Sequence, residues 1–369
     1  MNDIILSISR RTRSTPFTRR VEAAGVKAYT VYNHMLLPTQ FISFEDDYWH
    51  LCEHVQVWDV SGERQVEIKG PDARHLVQLM TPRDIGKAKN FQGLYAPLCN
   101  ERGGIINDPI IIRHADDRWW LSIADSDVKL WAQGLATGYS LNVEVSEPEV
   151  FPLAVQGPKA EDLVARLFGE QIRQIRFFRG EMVSFKGRQM YLARSGWSKQ
   201  GGFEIYLNDV TLGEPLWDEL FKLGEDLKVR AGCPSLIERI EGGLLSFGND
   251  IDYDNNPFEC GLDRYINLDA DIKSLSLPAL RQVAGQHDKQ LMGLVFPQPM
   301  PALPTHIIVD NQTIGHVTSH CWSPRYGKYL AFAMLKRDYL RDHQQLSVNG
   351  VSAQLCKLPF PADILNQVR

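Results

Sequence analysis

The 369-residue chain reads as an α+β protein of three domains, two related α+β lobes followed by a small C-terminal β-barrel. Three observations predict this. "VEIKGPDARHLVQLM" (residues 66–80) and "LAVQGPKAEDLVARLF" (residues 153–168) share one plan: a short apolar strand, Gly-Pro, then an amphipathic helix. Strand-like runs lie between and after the two copies. From about residue 275 the pattern changes to short β runs with turn residues between them. The length favours two or three domains, with expected spans of 1–145, 146–274 and 275–369. A cleft between the lobes is the default ligand site.

Each element has a local cause. Pro71 and Pro158 suit a first helical turn, where the missing N–H costs nothing, and the leucines and valines that follow recur on one helical face. "GLYAPLCNERGGIINDPIIIRH" reads as one hairpin turning at residues 100–104, with a β-branched second arm over 105–112. "RWWLSIADSDVKLWAQGL" places Leu121 and Ile123 on one side and Trp120 and Ser122 on the other; Asp125 or Ser126 can cap the next helix. "QMYLARSGW" and "FEIYLND" form a second hairpin around "SKQGG". Leu236, Ile240 and Leu244 mark a helix face, with Arg239 and Glu241 off it and a stop at Gly248. In the C-terminal region, Asp310-Asn311 and Asn349-Gly350 are hairpin turns.

Composition narrows the function. With 44% hydrophobic and 23% charged residues the chain is a folded globular protein, and a net charge of −5 gives no reason to expect nucleic acid. No apolar run approaches a membrane span, and the apolar patch at the start is too short for a secretory signal. Six scattered cysteines without a CxxC pair fit a reducing cytoplasm, and Cys233 and Cys260 fit the role of small buried hydrophobes. There is no GxGxxG after a strand, no P-loop, no GxSxG and no HExxH. Asp250, Asp252 and Asp254 mimic calcium-loop spacing, but the glycine and glutamate of such a loop are absent, so no metal is expected.

Two patterns point to chemistry. In "SGWSKQGGFEIY", Phe203 and Ile205 face the core, so Glu204 and Tyr206 share the opposite face, toward either solvent or a ligand. Trp197 across the same turn adds a ring. Such a surface suits a flat heterocycle, whose amino-pyrimidinone edge a carboxylate can accept, or a cation lying on aromatic faces. In "GGIINDPII", Asn107 and Asp108 interrupt an apolar strand; Asp108 is either paired within the fold or faces a ligand.

The segments "VWDVSGERQVEIKGPDARHLVQLMTPRDI", "GGIINDPII", "GGFEIY", "RIEGGLLSFGNDIDYDNNPFECGL" and "IGHVTSHCWSPRYGKYLAFAML" occur in an order that resembles the glycine-cleavage aminomethyltransferase family over nearly the whole chain. Family members are folate-binding proteins of three domains. "SRRTRSTPFTRRVEAAGVKAYTVYNHMLLP", "SIADSDVKLWAQGLA" and "ARSGWSKQGGFEIY" are most similar to the branch of that family that demethylates dimethylsulfoniopropionate. The resemblance implies transfer of a methyl group from a sulfonium to N5 of tetrahydrofolate. It also implies Glu204 and Tyr95 as folate contacts and Tyr32, Ser122, Trp197 and Tyr206 as the substrate pocket. The transfer leaves N5 with a proton to lose, for which Asp108 is the candidate acceptor, the alternative being that solvent takes it and Asp108 only positions the pterin. The implied partners are the small-molecule substrate and folate, with a homodimer allowed and neither nucleic acid nor membrane.

Two departures and two rivals accompany this. Many aminomethyltransferases carry Asp-Asp where this chain has Asn107-Asp108, which puts chemistry needing an aspartate pair in doubt. A donor built on glycine-derived aminomethyl groups or a quaternary amine such as glycine betaine would suit the same aromatic pocket. Folate-binding relatives that support iron–sulfur assembly carry a Lys-Gly-Cys-Tyr signature, and none occurs here. Arg10, Arg11, Arg13, Arg19 and Arg20 form a basic arm, either solvated or attracting a ligand carboxylate.

Overall fold

Both copies of the strand–Gly-Pro–helix unit form, and the same glycine geometry enforces each. The computed structural model describes residues 9–300, 306–309, 312–340, 345–348 and 350–365. Strand Gln65–Lys69 leads into helix Ala73–Met80, and strand Phe151–Gln156 into helix Ala160–Phe168. Gly70 and Gly157 sit at φ +138° and +122°. A Cβ there would lie 2.5 Å from the Asn142 carbonyl oxygen or 2.4 Å from that of His54, so only glycine fits. The amides of Ala73 and Ala160 then bond the carbonyls of Gly70 and Gly157, both at 3.0 Å. Leu76, Val77 and Met80 on one helix, and Leu163 and Val164 on the other, are fully buried.

The chain divides into two compact units. The first comprises the described residues up to Gln65 with Pro148–Gly196 and Gln200–Pro234. Its six-stranded sheet runs in the order Gly180–Phe185, Arg188–Ala193, Gly202–Leu207, Phe151–Gln156, Val55–Asp59, Val229–Gly232. Neighbours are antiparallel except the last pair. Phe203, Ile205 and Leu207 point into a core shared with Leu163, Leu216 and Leu220 from helices Ala160–Phe168 and Gly213–Leu223. Each such side chain contributes about 1.5–3 kcal/mol by leaving water. A hairpin of Ala28–Tyr32 and Met35–Gln40 precedes the sheet, and Asn33 and His34 take positive φ at its tight turn.

The second unit comprises Val66–Glu147, Trp197–Lys199 and the described residues from Ser235 onward. One sheet has the order Glu144–Ser146, Gln65–Lys69, Arg118–Ser122, Ile110–Ala115, Gln92–Tyr95, and its core includes Leu76 and Val77 of helix Ala73–Met80 with Val128 and Ala132 of helix Val128–Gly138. The C-terminal sheet has the order His306–Val309, Gln312–Ser323, Lys328–Lys336, Lys289–Phe296, Val351–Cys356, Gln345–Val348. Its first and last strands lie against each other, which brings it close to the expected barrel around Leu294, Phe296, Ile307 and Leu355. Val309 pairs with Gln312 and Val348 with Val351, as hairpins require. Asp310, Asn311 and Asn349 of the expected turns lie outside the described residues. Among the described residues no helix is long and apolar enough to cross a membrane.

Several local expectations are corrected. The hairpin expected over residues 92–113 is interrupted. Leu98 pairs with Asn107 in one ladder and Tyr95 with Ile110 in another, in the same register, so Pro97 stands opposite Asp108. Pro97 and Pro109 have no N–H to give, and a single Ala96 N–H to Pro109 C=O bond of 3.0 Å spans the gap. Asp108 therefore occupies a break and not the interior of a strand. The N-cap position of helix Val128–Gly138 is Asp127, not the expected Asp125 or Ser126, and it makes no side-chain cap; the Ser126 hydroxyl accepts from Asn107. The helix expected to run to Gly248 is Leu236–Glu241; Gly243, at φ +67°, turns the chain away. Its buried face is Ile237 and Ile240 with Glu238 and Arg239, while Leu236 is 42% exposed. Arg239 goes inside because it pairs with Asp250 at 2.8 Å.

Candidate active site

Each unit carries one group of the predicted residues. In the first, Glu204 and Tyr206 do share the face opposite the core, yet neither reaches solvent: Glu204 is 9% exposed and Tyr206 2%. One carboxylate oxygen of Glu204, Oε2, accepts from the Ser195 hydroxyl and, at 3.3 Å, from the Tyr206 hydroxyl. Among the described residues the other oxygen has no such bond. Burial raises the pKa of Glu204 against the opposing effect of these two donors. The turn that bears Ser195 is held from below by Gln156, whose amide donates to the Ser195 carbonyl at 3.0 Å. A Cβ on Gly196 or Gly202 would collide with the Gln156 side chain, at 2.1 and 2.6 Å. The glycines of the quoted stretch thus let the backbone settle onto Gln156 and present Glu204 and Ser195 together.

Tyr32 lies in the same unit, at the end of its strand. Its backbone and ring pack on Gly62, where a Cβ would come 3.1 Å from the Tyr32 carbonyl, and the Asn33 amide donates to the Gly62 carbonyl at 2.9 Å. Glu63 follows directly. Burial and then the charge of Glu204 push its pKa up to about 8, although the residue keeps some accessible surface. Burial and the mutual repulsion of Glu63 and Glu204 thus disfavour two negative charges here. The sequence reading missed Glu63, because nothing in "SGERQ" shows that its side chain meets a residue of the strand Gly202–Leu207.

In the second unit, the Tyr95 hydroxyl donates to Asp108 Oδ2 at 2.9 Å. Burial raises Asp108 to about 7, against the lowering effect of the Tyr95 bond; burial and Asp108 together hold Tyr95 protonated. Ser122 pairs with Ile110, two residues along the chain from Asp108. Asn107 is fully buried and fully used: its amide nitrogen donates to the Ala124 carbonyl at 3.2 Å and to Ser126 Oγ at 2.8 Å, and its oxygen accepts from the Ala124 amide at 3.1 Å. A carboxylate could not donate those two bonds. Asn107 is thus structural, and Asp108 alone of the pair is an acid.

Trp197 meets a cation of the protein itself. It belongs with the second unit, where the Arg239 guanidinium lies 5.7 Å from its ring centroid. Arg239 is fixed by Asp250 and by Ser319 Oγ at 2.6 Å, and Ser319 in turn donates to Asp250. The acidic loop is accordingly organised by hydrogen bonds: Asp250 by this network, Asp252 as acceptor of the Asp254 amide. The basic arm is partly neutralised, since Arg20 makes two 2.7 Å bonds to Asp218. All six cysteines are thiols and five are buried, as small hydrophobes would be.

The model of the GCVT N-terminal domain matches residues 17–270, and that of the glycine cleavage T-protein C-terminal barrel domain residues 289–361. A dimethylsulfoniopropionate demethylase of Ruegeria pomeroyi is 50% identical over 334 residues, 90% of this chain and 91% of that protein. An aminomethyltransferase of Clostridium botulinum is 29% identical over 313 residues, 82% and 84% of the two chains. The crystal structure of glycine cleavage system aminomethyltransferase T from Bartonella henselae matches with a TM-score of 0.83 at 23% identity, covering 97% of this chain and 99% of that one, a likeness of fold.

Proposed function

We propose a function from one premise: the chain belongs to the glycine cleavage T-protein family. It is a tetrahydrofolate-dependent methyltransferase that moves a methyl group from the sulfonium of dimethylsulfoniopropionate to N5 of tetrahydrofolate, leaving 3-(methylthio)propionate and 5-methyltetrahydrofolate. The observation that carries this reading is 50% identity, over nine-tenths of the chain, to a protein named for that demethylation.

The residues fit a reduced pterin. Glu204 commits one oxygen to Ser195 and Tyr206 and keeps the other for a ligand donor. When bound, tetrahydrofolate supplies the nucleophilic nitrogen; everything else asked of the protein is placement. Glu204 and Tyr95 orient the pterin. Tyr32, Ser122, Trp197 and Tyr206 receive the sulfonium, with rings worth about 0.5–2 kcal/mol each to a desolvated cation. A sulfonium departs as a neutral thioether, so no strong acid or covalent nucleophile is needed, and positioning can contribute about 7–11 kcal/mol. Rings serve better than carboxylates against sulfur, because a carboxylate would stabilise the charged ground state as well. The raised pKa values of Glu63 and Glu204 are in keeping with this, since they disfavour a second negative charge in the site.

Methylation leaves N5 with a proton to lose. Asp108, with a pKa near 7 and a Tyr95 bond that favours its ionised form, is the acceptor. The solitary carboxylate also separates this site from chemistry that needs an aspartate pair. The test is product analysis: protein, tetrahydrofolate and each candidate donor are incubated without oxygen. Dimethylsulfoniopropionate should yield the thioether and methylated folate in equal amounts. If glycine betaine or an aminomethyl donor reacts and the sulfonium does not, the substrate assignment is wrong.

A further inference from the structure

Arg83 is a half-buried guanidinium without an anion among the described residues. Its own backbone is pinned, because its amide donates to Thr81 Oγ1 at 3.2 Å and its carbonyl accepts from the Gln78 amide at 2.9 Å. Its side chain donates through one nitrogen to the carbonyl of Tyr95 and lies over the Tyr265 ring, 5.3 Å from the centroid. Tyr265 in turn meets the Tyr95 ring edge-on at 4.8 Å. A second guanidinium, Arg264, lies over the same Tyr265 ring, also at 5.3 Å. Among the described residues no carboxylate pairs with Arg83 or Arg264, and Tyr265 is the one ionisable neighbour that acts on Arg83.

Two cations gathered on one ring repel each other, and the burial of one of them depresses its pKa. Structural arginines in this protein are treated otherwise: Arg239 has Asp250, Arg20 has Asp218 and Arg194 has Glu161. A planar guanidinium fixed by a carbonyl and a ring, with its remaining N–H donors unspent, is organised for bidentate contact with a carboxylate. Both proposed reactants carry carboxylates, the sulfonium compound one and the glutamate of tetrahydrofolate two.

From this arrangement we infer that Arg83, assisted by Arg264, is a carboxylate-binding site beside Tyr95 that anchors the acidic end of a reactant. It rests on the proposed methyl transfer and adds to it a specificity determinant remote from the reacting atoms. The carboxylate belongs either to the folate glutamate or to the sulfonium substrate, and binding distinguishes the two.

The experiment compares wild type, Arg83→Gln and Arg83→Lys with two ligand pairs. The first is tetrahydrofolate against tetrahydropteroate, which lacks glutamate. The second is dimethylsulfoniopropionate against trimethylsulfonium, which lacks a carboxylate. Wild type should prefer the carboxylated member of one pair, and Arg83→Gln should reduce that preference roughly ten- to a hundredfold, the span of a charge-assisted hydrogen bond. Arg83→Lys, which keeps the charge, should restore part of it. A loss in the first pair assigns the folate tail, and a loss in the second assigns the substrate. Circular dichroism matching wild type shows each variant to be folded, and preference ratios then unaltered in both pairs overturn the site. Wild-type protein that binds neither tetrahydrofolate nor the sulfonium refutes the proposed function, and this site with it, whereas wild-type turnover with unaltered ratios refutes the site alone.

Discussion

Replacing Asp108 by asparagine tests the chemistry and the energetics of one group together. The substitution keeps an oxygen to accept the Tyr95 hydroxyl bond and removes the ability to ionise. Burial has moved the wild-type carboxyl from 3.8 to about 7. At about 1.4 kcal/mol for each tenfold change in proton affinity the ceiling is about 4 kcal/mol, and partial exposure of Asp108 brings the expectation to about 2 kcal/mol. A carboxyl whose folded pKa is raised contributes full stability below pH 3.8 and loses it as pH climbs through about 7. The amide that replaces it does not titrate. The stability of Asp108→Asn relative to wild type should therefore grow from pH 4 to pH 7 and stay level above, reaching about 2 kcal/mol at pH 8 by urea unfolding. A difference that stays constant from pH 4 to pH 8 would refute the buried-carboxyl account. The rate carries an independent sign: wild-type kcat should rise with pH through about 7, and the variant should lose that limb along with roughly 10²-fold or more in kcat.

Three other outcomes are expected. Trp197→Ala should weaken sulfonium binding by about 0.5–2 kcal/mol and leave tetrahydrofolate binding nearly unchanged in calorimetric titration. Glu204→Gln should do the reverse, weakening tetrahydrofolate by about 1.5–3 kcal/mol; equal damage to both ligands in both variants would mean the roles are misassigned. Arg239→Leu should cost about 3–5 kcal/mol in thermal unfolding by stranding Asp250, and the double variant with Asp250→Leu should recover much of it.

What could be read from the sequence was what neighbouring residues decide. Gly-Pro starts a helix through backbone geometry, so both strand–helix units were legible, and alternation placed Glu204 and Tyr206 on one face. That the face of Glu204 and Tyr206 is buried as well was not legible, because the bonds of Glu204 to Ser195 and Tyr206 come from the folded turn. Glu63 acquires its significance from a strand some 140 residues on, and Arg239 from Asp250 and Ser319, the latter 80 positions away. A polar residue on a helix is ordinarily assigned to solvent, and for Arg239 that default failed because its partners are tertiary. The stop at Gly248 was misplaced for a simpler reason: Gly242 and Gly243 were available, but Leu244 continued the apolar spacing past them.

The missing rung between Pro97 and Asp108 has a mechanical meaning. A carboxylate in a continuous ladder is carried by amides on both sides and can shift only if the sheet shifts. With an imino acid opposite and another behind, the backbone at Asp108 is restricted in angle yet tied to few neighbours. Its carboxyl can follow a departing proton by small adjustments that tear no ladder bond, while the flanking rungs at Tyr95 and Asn107 hold their register. Replacing Pro109 by a residue with an N–H would supply the return bond to the Ala96 carbonyl and trade that slack for rigidity.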